Sequence, residues 1–394
     1  MYYFEVRTLI RSSNSPITIN FKIARTAISF LKSMISNQTR VRIHTQLEGL
    51  DQVWSGLSAT GNGPMQHFIW SWACAEAFKA AGKLQFVSVG SDDQPTALAP
   101  LIQSNQIFSR LEMIGVKELY EPMDFLYSDR SSLDILARNL AQRGIALWLR
   151  RLPADSPALP AIKMAFRRRG IVHTLPVDPY PYLELNSDWI VPESRFNSGR
   201  RSDFRRAERH ASRFGEISYE TLSPSPEEVG SLLEEAYQIE MASWKGEAGT
   251  ALAADPVRGA FYRHYARAAS ESGVLRLFFL RIDGQAVGMQ IAIECDDRFW
   301  LLKIGHDDRY SKCSPGTLLM LHSLKYAASR GLKSYEFLGI AEPWTRNWTE
   351  SLRPCVSLRA YPLSIGGIAV MSCDAVTLML KGMNRALRRN GGEK

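Results

Sequence analysis

Leu84 to Leu101 reads LQFVSVGSDDQPTALAPL, and Leu275 to Ala292 reads LRLFFLRIDGQAVGMQIA. Each is an apolar run, a tight Asp-containing turn and a second apolar run, which is the pattern of a β-hairpin. Each follows a helix-like segment closing near a glycine, Gly82 or Gly273. Asp93-Gln94 lies over Gly284-Gln285 without a gap. The match continues outward. Leu111-Glu112-Met113-Ile114-Gly115 aligns with Leu301-Leu302-Lys303-Ile304-Gly305, and Tyr120 aligns with Tyr310. Helical segments ending Arg143-Gly144 and Arg330-Gly331 then lead into strand-like runs, ALWLRRL from Ala146 and SYEFLGI from Ser334. The repeated order of helix, hairpin, strand, loop, helix, strand predicts an α/β fold with a mixed sheet in each of two tandem copies.

The first copy is expected over residues 41–175 and the second over 216–363. Residues 176–215 read as a linker, made of a proline-rich stretch (Pro176 to Pro181) and an arginine-rich helix (Arg200 to Arg213). Residues 1–40 are basic, Ser-rich and acid-poor, and read as a poorly ordered extension. Residues 364–394 read as a C-terminal helix with a basic tail.

Composition narrows the function classes. Of 394 residues, 45% are hydrophobic and 22% charged, enough apolar side chain for a sizeable core. The cysteines, Cys74, Cys295, Cys313, Cys355 and Cys373, are odd in number and widely spaced. That argues against a disulfide framework or a cysteine metal site, and the expectation is a cytoplasmic protein with no metal. The longest apolar stretch, Ile365 to Leu380, is short for a membrane span and carries Asp374. A net charge of +8 favours anionic partners.

The chemistry concentrates after Leu301. Ser314-Pro315-Gly316-Thr317-Leu318 opens a helical pattern with Leu318, Leu321, Leu324 and Ala328 on one face, ending at Gly331. Ser314 suits the N-cap and Pro315 the first helical position, while Gly316 lets a ligand approach the backbone. A strand followed by an open helix N-terminus is an anion site. The pyrophosphate of coenzyme A fits such a place.

FYRHYARAASESGVLRLFFLRIDGQAVGMQIAIE from Phe261, WLLKIGHDDRYSKCSPGTLLMLHSL from Trp300 and GLKSYEFLGIAEPWTRNW from Gly331 together resemble a GNAT-type acetyltransferase domain. The resemblance is to proteins linked to bacterial cellulose and exopolysaccharide synthesis. FIWSWACAEAF, LAPLI and LYEPMDFLY resemble the leading part of the same proteins. Tandem-GNAT Fem-type aminoacyltransferases are a related architecture. The resemblance implies tandem GNAT-like acyl-CoA N-acyltransferase domains, with acetyl-CoA or another acyl-CoA held at splayed central strands of the second copy. It also implies a small-molecule or glycan-precursor acceptor. Where the second copy has Ser314-Pro315-Gly316, the first has Glu121-Pro122-Met123-Asp124-Phe125. The first copy therefore reads as a degenerate partner shaping the acceptor site.

Amine or hydroxyl acylation by a thioester needs a base, an oxyanion holder and a proton for the leaving thiolate. In GNAT folds a backbone N–H of the central strand serves the oxyanion, which falls here within Leu302 to Gly305. Glu336, Asp307, Tyr310 and His306 are the acid–base candidates. Each also has a bland reading as an ion-paired or surface residue. Lys303, Ser314, Pro315, Gly316, Thr317 and Leu318 are the candidates for holding the donor. Asp124, Trp244, Lys245, Trp344 and Trp348 are candidates for the acceptor side. The family often has a lysine near Trp344, whereas Thr345 and Arg346 stand here.

The arginines at 201, 205 and 209 recur on one helical face, with little aromatic interleaving, so nucleic-acid binding is disfavoured. The segment from Met379 is basic and partly amphipathic, consistent with a frayed tail or with peripheral contact to an acidic lipid surface. Two rival functions stay open: a Fem-type transferase using aminoacyl-tRNA, and a catalytically silent GNAT scaffold beside a polysaccharide synthase. The acceptor, the acyl chain length and the oligomeric state are not readable from the residues.

Overall fold

The structure, a computed structural model, describes residues 40–58, 63–91, 94–105, 108–243 and 254–390. The extension expected at 1–40 lies, apart from Arg40, outside these residues, as do Asp93, Trp244 and Lys245.

The first half contains β1 (Arg40–His44), α1 (Asp51–Ser58), α2 (Phe68–Ala77), β2 (Gly82–Gly90), β3 (Pro95–Ser104), β4 (Arg110–Met113), α3 (Val116–Leu119), β5 (Leu126–Tyr127), α4 (Arg130–Gln142) and β6 (Ala146–Pro153). Then follow α5 (Ala158–Phe166), β7 (Gly170–Glu184) and α6 (Ser198–Ala211). The second half contains β8 (Ile217–Leu222), α7 (Val229–Met241), α8 (Pro256–Glu271), β9 (Leu275–Ile282), β10 (Gln285–Cys295), β11 (Arg298–His306), α9 (Pro315–Ser329), β12 (Ser334–Glu336), β13 (Leu352–Pro362) and α10 (Ile365–Asn390).

One sheet runs β1-β2-β3-β4-β6-β13-β7-β12-β11-β10-β9-β8, with β5 paired to β3. The duplication is written into this order. Both quoted stretches are antiparallel hairpins, β2–β3 and β9–β10. In each half the next strand makes a short parallel contact across a helical crossover. Arg110, Leu111 and Glu112 pair with Ala146, Leu147 and Trp148, while Arg298, Phe299 and Trp300 pair with Ser334, Tyr335 and Glu336. By these pairs Leu111 corresponds to Phe299 and not to Leu301. A slip of two residues keeps the same side chains on the same face, so the apolar pattern matched equally well at either register.

The division of the chain is less tidy than the sequence pattern suggests. Residues 176–181 do not link two sheets; they lie inside β7, where Pro176 faces Val356 and Pro181 faces Leu352 of β13. Only Tyr182 to Glu184 of β7 pair with a second strand, β12. Prolines are tolerated upstream because, among the described residues, no strand pairs along that edge of β7, so no acceptor there waits for the missing N–H. β13, from the end of the second copy, crosses back and inserts between β6 and β7. The two halves therefore share strands.

They also share a core. α2 and α8, the helices preceding the two hairpins, meet through Trp70, whose ring centroid lies 4.9 Å from Phe261 and 5.0 Å from Tyr265. The opposite face of the second half's sheet is covered by α9 and α6, through Leu318, Leu321, Leu324, Phe204, Ala207 and Ala211. That packing fixes the start of α9 against the end of β11.

Candidate active site

β11 and β12 part company after Trp300 and Glu336. The chain beyond β12 turns away, with Phe337 N–H donating to Pro181 O. Leu338 and Gly339 then both take left-handed backbone angles, φ 57° and 55°. β11 runs on to His306 with β10 on one side and, among the described residues, no strand on the other.

A cavity of about 470 Å³ opens where β11 ends and α9 begins. Its walls include Ile304, Gly305, His306, Ser314, Pro315, Gly316, Thr317 and Met320, with Trp344 and Trp348 on the far side. Ser314 is the N-cap residue of α9 and Pro315 follows it, as expected, but Ser314 is left-handed (φ 49°) and its hydroxyl makes no capping bond. Its carbonyl instead accepts from Thr317 and Leu318 N–H. A Cβ added to Gly316 would come no closer than 3.8 Å to His306 Nδ1 and 3.9 Å to Ile304. The glycine thus borders open cavity, as a backbone meant to meet a ligand would.

The remaining predicted donor residues sit elsewhere. Leu318 is buried in the core beneath α9, as an apolar residue one turn into a packed helix must be. Lys303 lines a second cavity, with its Nζ 5.4 Å from the Tyr262 ring. It alternates with Ile304 along the strand, so the two side chains leave opposite faces.

That second cavity, about 240 Å³, fills the splay itself. It is walled by Leu302, Lys303, Leu338 and Gly339, and by Leu119 and Glu121 from the first half. Ile304, Glu342 and Trp344 line both cavities. Glu121 is buried and accepts Gly339 N–H at 3.2 Å. Burial pushes its carboxyl up to about 7, against the opposing pull of Arg151, the Gly339 bond and Lys303. No local pattern marked this residue. The only hint was its place opposite the donor loop in the repeat.

The four predicted acid–base residues fare differently. His306 lines the cavity at Gly316, its Nε2 3.4 Å from Asp308. Glu336 is fully buried, but Arg353 grips both its oxygens, at 2.8 and 2.7 Å, and Ser334 donates at 2.7 Å. An interior carboxylate so paired is an anchor between β12 and β13 and lines neither cavity. Asp307 is also committed. Burial works against its charge, but Arg309, through backbone N–H and guanidinium, outweighs this and holds the carboxyl below its usual value. Tyr310 faces away, its hydroxyl 3.4 Å from Gln285 and its ring against Phe214.

Trp348 stacks on Phe204 and meets Phe196 edge-on, so it joins the α6 core while touching the cavity at Gly316. Asp124 lies apart, in a third cavity of about 430 Å³. Tyr127, Tyr180, Tyr182, Trp300 and Arg298 line it as well. Burial raises the Asp124 carboxyl to about 6, although Ser156 and Phe125 N–H bond it. Loop 121–124 therefore walls both the splay cavity and this one.

At the far end of β11, His67, Cys295 and Asp296 bring potential ligand atoms within 4.8 Å of one another. Asp296 accepts from Gly63 N–H and faces His67 Nε2, both at 3.2 Å, so the group clasps the two halves together. All five cysteines are free.

Residues 198–346 match the acetyltransferase (GNAT) domain family. No curated protein matches the chain. A conserved protein of unknown function from Bacteroides thetaiotaomicron is 8% identical, with a TM-score of 0.54 over 82% of this chain and 99% of its own. FemX is 13% identical, with a TM-score of 0.52 over 82% of this chain and 97% of its own. A tandem GNAT protein from the clavulanic acid biosynthesis pathway is 12% identical, with a TM-score of 0.45 over 83% and 99%. The fold is thus mixed α/β with a repeated topology in its two halves, and the residues that match the GNAT model run from the start of α6 to beyond β12.

Proposed function

We propose that the protein transfers an acetyl or longer acyl group from acyl-coenzyme A to an amine or hydroxyl of a small acceptor. The observation that carries this reading is the wall shared by the two cavities. Ile304, Glu342 and Trp344 stand between a groove at a helix N-terminus and a splayed-strand cavity holding a buried carboxylate. The Gly316 N–H, the Thr317 hydroxyl and the positive end of the α9 dipole would hold the donor's phosphates, since Pro315 has no N–H and those of Ser314 and Thr317 bond Ser311 O and Ser314 O. When bound, the donor supplies an activated thioester.

Glu121 takes the proton from the attacking amine or hydroxyl. Its raised carboxyl suits a base working near neutrality. The β11 backbone between Leu302 and Gly305 faces the oxyanion, and His306 returns a proton to the departing thiolate. The aromatic and polar walls of the third cavity, Tyr127, Tyr180, Tyr182, Trp300, Asp124 and Arg298, favour a sugar-like acceptor such as a glycan precursor. The free cysteines favour a reducing compartment.

The test is incubation with acetyl-CoA and longer acyl-CoAs beside amino sugars and sugar nucleotides, with products read by mass spectrometry. Acceptor-dependent acyl transfer that Glu121→Gln suppresses supports the proposal. Saturable aminoacyl-tRNA binding without turnover of any acyl-CoA would instead favour the Fem-type alternative. Binding of neither would favour a silent scaffold.

A further inference from the structure

The C-terminal helix α10 is absorbed by nothing above. Its first turns are docked on the sheet. Val370 is buried, and Asp374 is buried in a polar cluster where Arg110 Nη1 reaches its two oxygens at 3.1 and 3.2 Å. Arg359 and Tyr361 donate to the same carboxylate at 3.2 and 2.8 Å. Beyond Asp374 the helix leaves the body, and every residue from 375 to 380 is exposed, including Val376, Leu378, Met379 and Leu380.

Helical periodicity, about 100° per residue, sets the faces. Gly367, Val370 and Asp374 form the side turned to the protein. Ile365 (91% exposed), Ile368, Val376 (55%), Met379 (68%) and Leu380 fall on the opposite side. A helix whose apolar stripe points away from its own core contradicts the usual burial logic, unless something else covers the stripe. Among the described residues no helix is long and apolar enough to cross a membrane. The sequence from Lys381 onward then adds Arg385, Arg388 and Arg389, with no acidic residue between 375 and 392.

We propose that α10 docks the protein onto an anionic lipid surface, lying in its plane with the stripe Ile365–Ile368–Val376–Met379–Leu380 immersed. The charges decide between a membrane and a second copy of the chain. Each basic residue near an anionic leaflet strengthens binding several-fold. A parallel helix pair would instead set two basic ends side by side. Asp374 and its arginine partners would hold the helix on the body while the stripe engages lipid.

The test is flotation of the full chain with vesicles of phosphatidylcholine alone or containing phosphatidylglycerol. Wild type should float with the phosphatidylglycerol vesicles and be released by high salt. The double variant Val376→Asp/Met379→Asp should lose about tenfold or more in partitioning at an unchanged melting temperature, since both side chains are exposed in the folded protein. Failure of wild type to float would overturn the proposal, as would flotation unaffected by the double variant. So would a dimer, seen by light scattering, that the double variant dissociates in the absence of lipid binding.

Discussion

Gly339 donates its backbone N–H to Glu121 Oε2 across 3.2 Å, tying a carboxylate of the first half to the splayed strand end of the second. That bond requires the left-handed turn at Leu338 and Gly339 and the closeness of loop 121–124 to β11. Under the proposed mechanism it gives the first half, which lacks a counterpart of Ser314-Pro315-Gly316, a chemical role.

The ionisation of Glu121 should be visible in two readouts at once. Its folded value is raised to about 7. The stability it contributes is therefore intact below the ordinary carboxylate range and is lost as pH rises through about 7. The same loss of a proton creates the base. kcat/KM for acyl transfer should climb with pH and level off above about 7, while stability declines across that interval. Glu121→Gln should flatten both profiles and lower kcat by roughly 10²-fold or more. A Gln variant with an unchanged ascending limb would remove Glu121 from the mechanism.

Asp307 titrates with the opposite sign. Its folded value is depressed, so its contribution is present above the unfolded range near ~3.9 and disappears as pH falls through the folded value. Asp307→Asn should lower the melting temperature at neutral pH and lessen the acid sensitivity of the fold. It should leave the pH–rate profile near neutrality in place. A shift of that profile would mark Asp307 as catalytic after all.

Glu336 and Arg353 should behave as a buried structural pair. Removing the guanidinium alone strands a fully buried carboxylate, and Arg353→Met should cost about 3–5 kcal/mol in chemical denaturation. The double variant Glu336→Gln/Arg353→Met should recover much of that loss. If Arg353→Met is neutral, the pair does not anchor β12 to β13.

Because β13 completes the first half's sheet and β7 serves both halves, unfolding should be a single cooperative transition in calorimetry. Two separated transitions would contradict the shared core.

How much of this was legible beforehand follows from how local each signal is. The hairpins at Leu84 and Leu275, and the start of α9 at Pro315, are set by turn chemistry and periodicity within a few residues, and those signals survive in one chain. The placement of β13 is not local: nothing in Leu352 to Pro362 says that its neighbours are β6 and β7. The prolines of β7 suggested a linker because a missing N–H argues against a central strand, and what resolves that is the lack, among the described residues, of a strand paired with β7 on its second edge before Tyr182. Glu336 looked like a base because a carboxylate in an apolar run needs a partner, and Arg353 lies in another strand. Glu121 was passed over for the mirror-image reason. Its significance comes from Gly339, Arg151 and Lys303, all distant in sequence.

The central claim is that the groove at Gly316 binds an acyl-CoA. Calorimetric titration of acetyl-CoA and longer acyl-CoAs into the wild type and Gly316→Phe tests it most directly. The cavity-facing Cβ position is open, so the variant should fold. Saturable binding by wild type, abolished or weakened by about 10²-fold in Gly316→Phe, is the predicted result. Absence of binding by every acyl-CoA, or equal affinity in the variant, would contradict it.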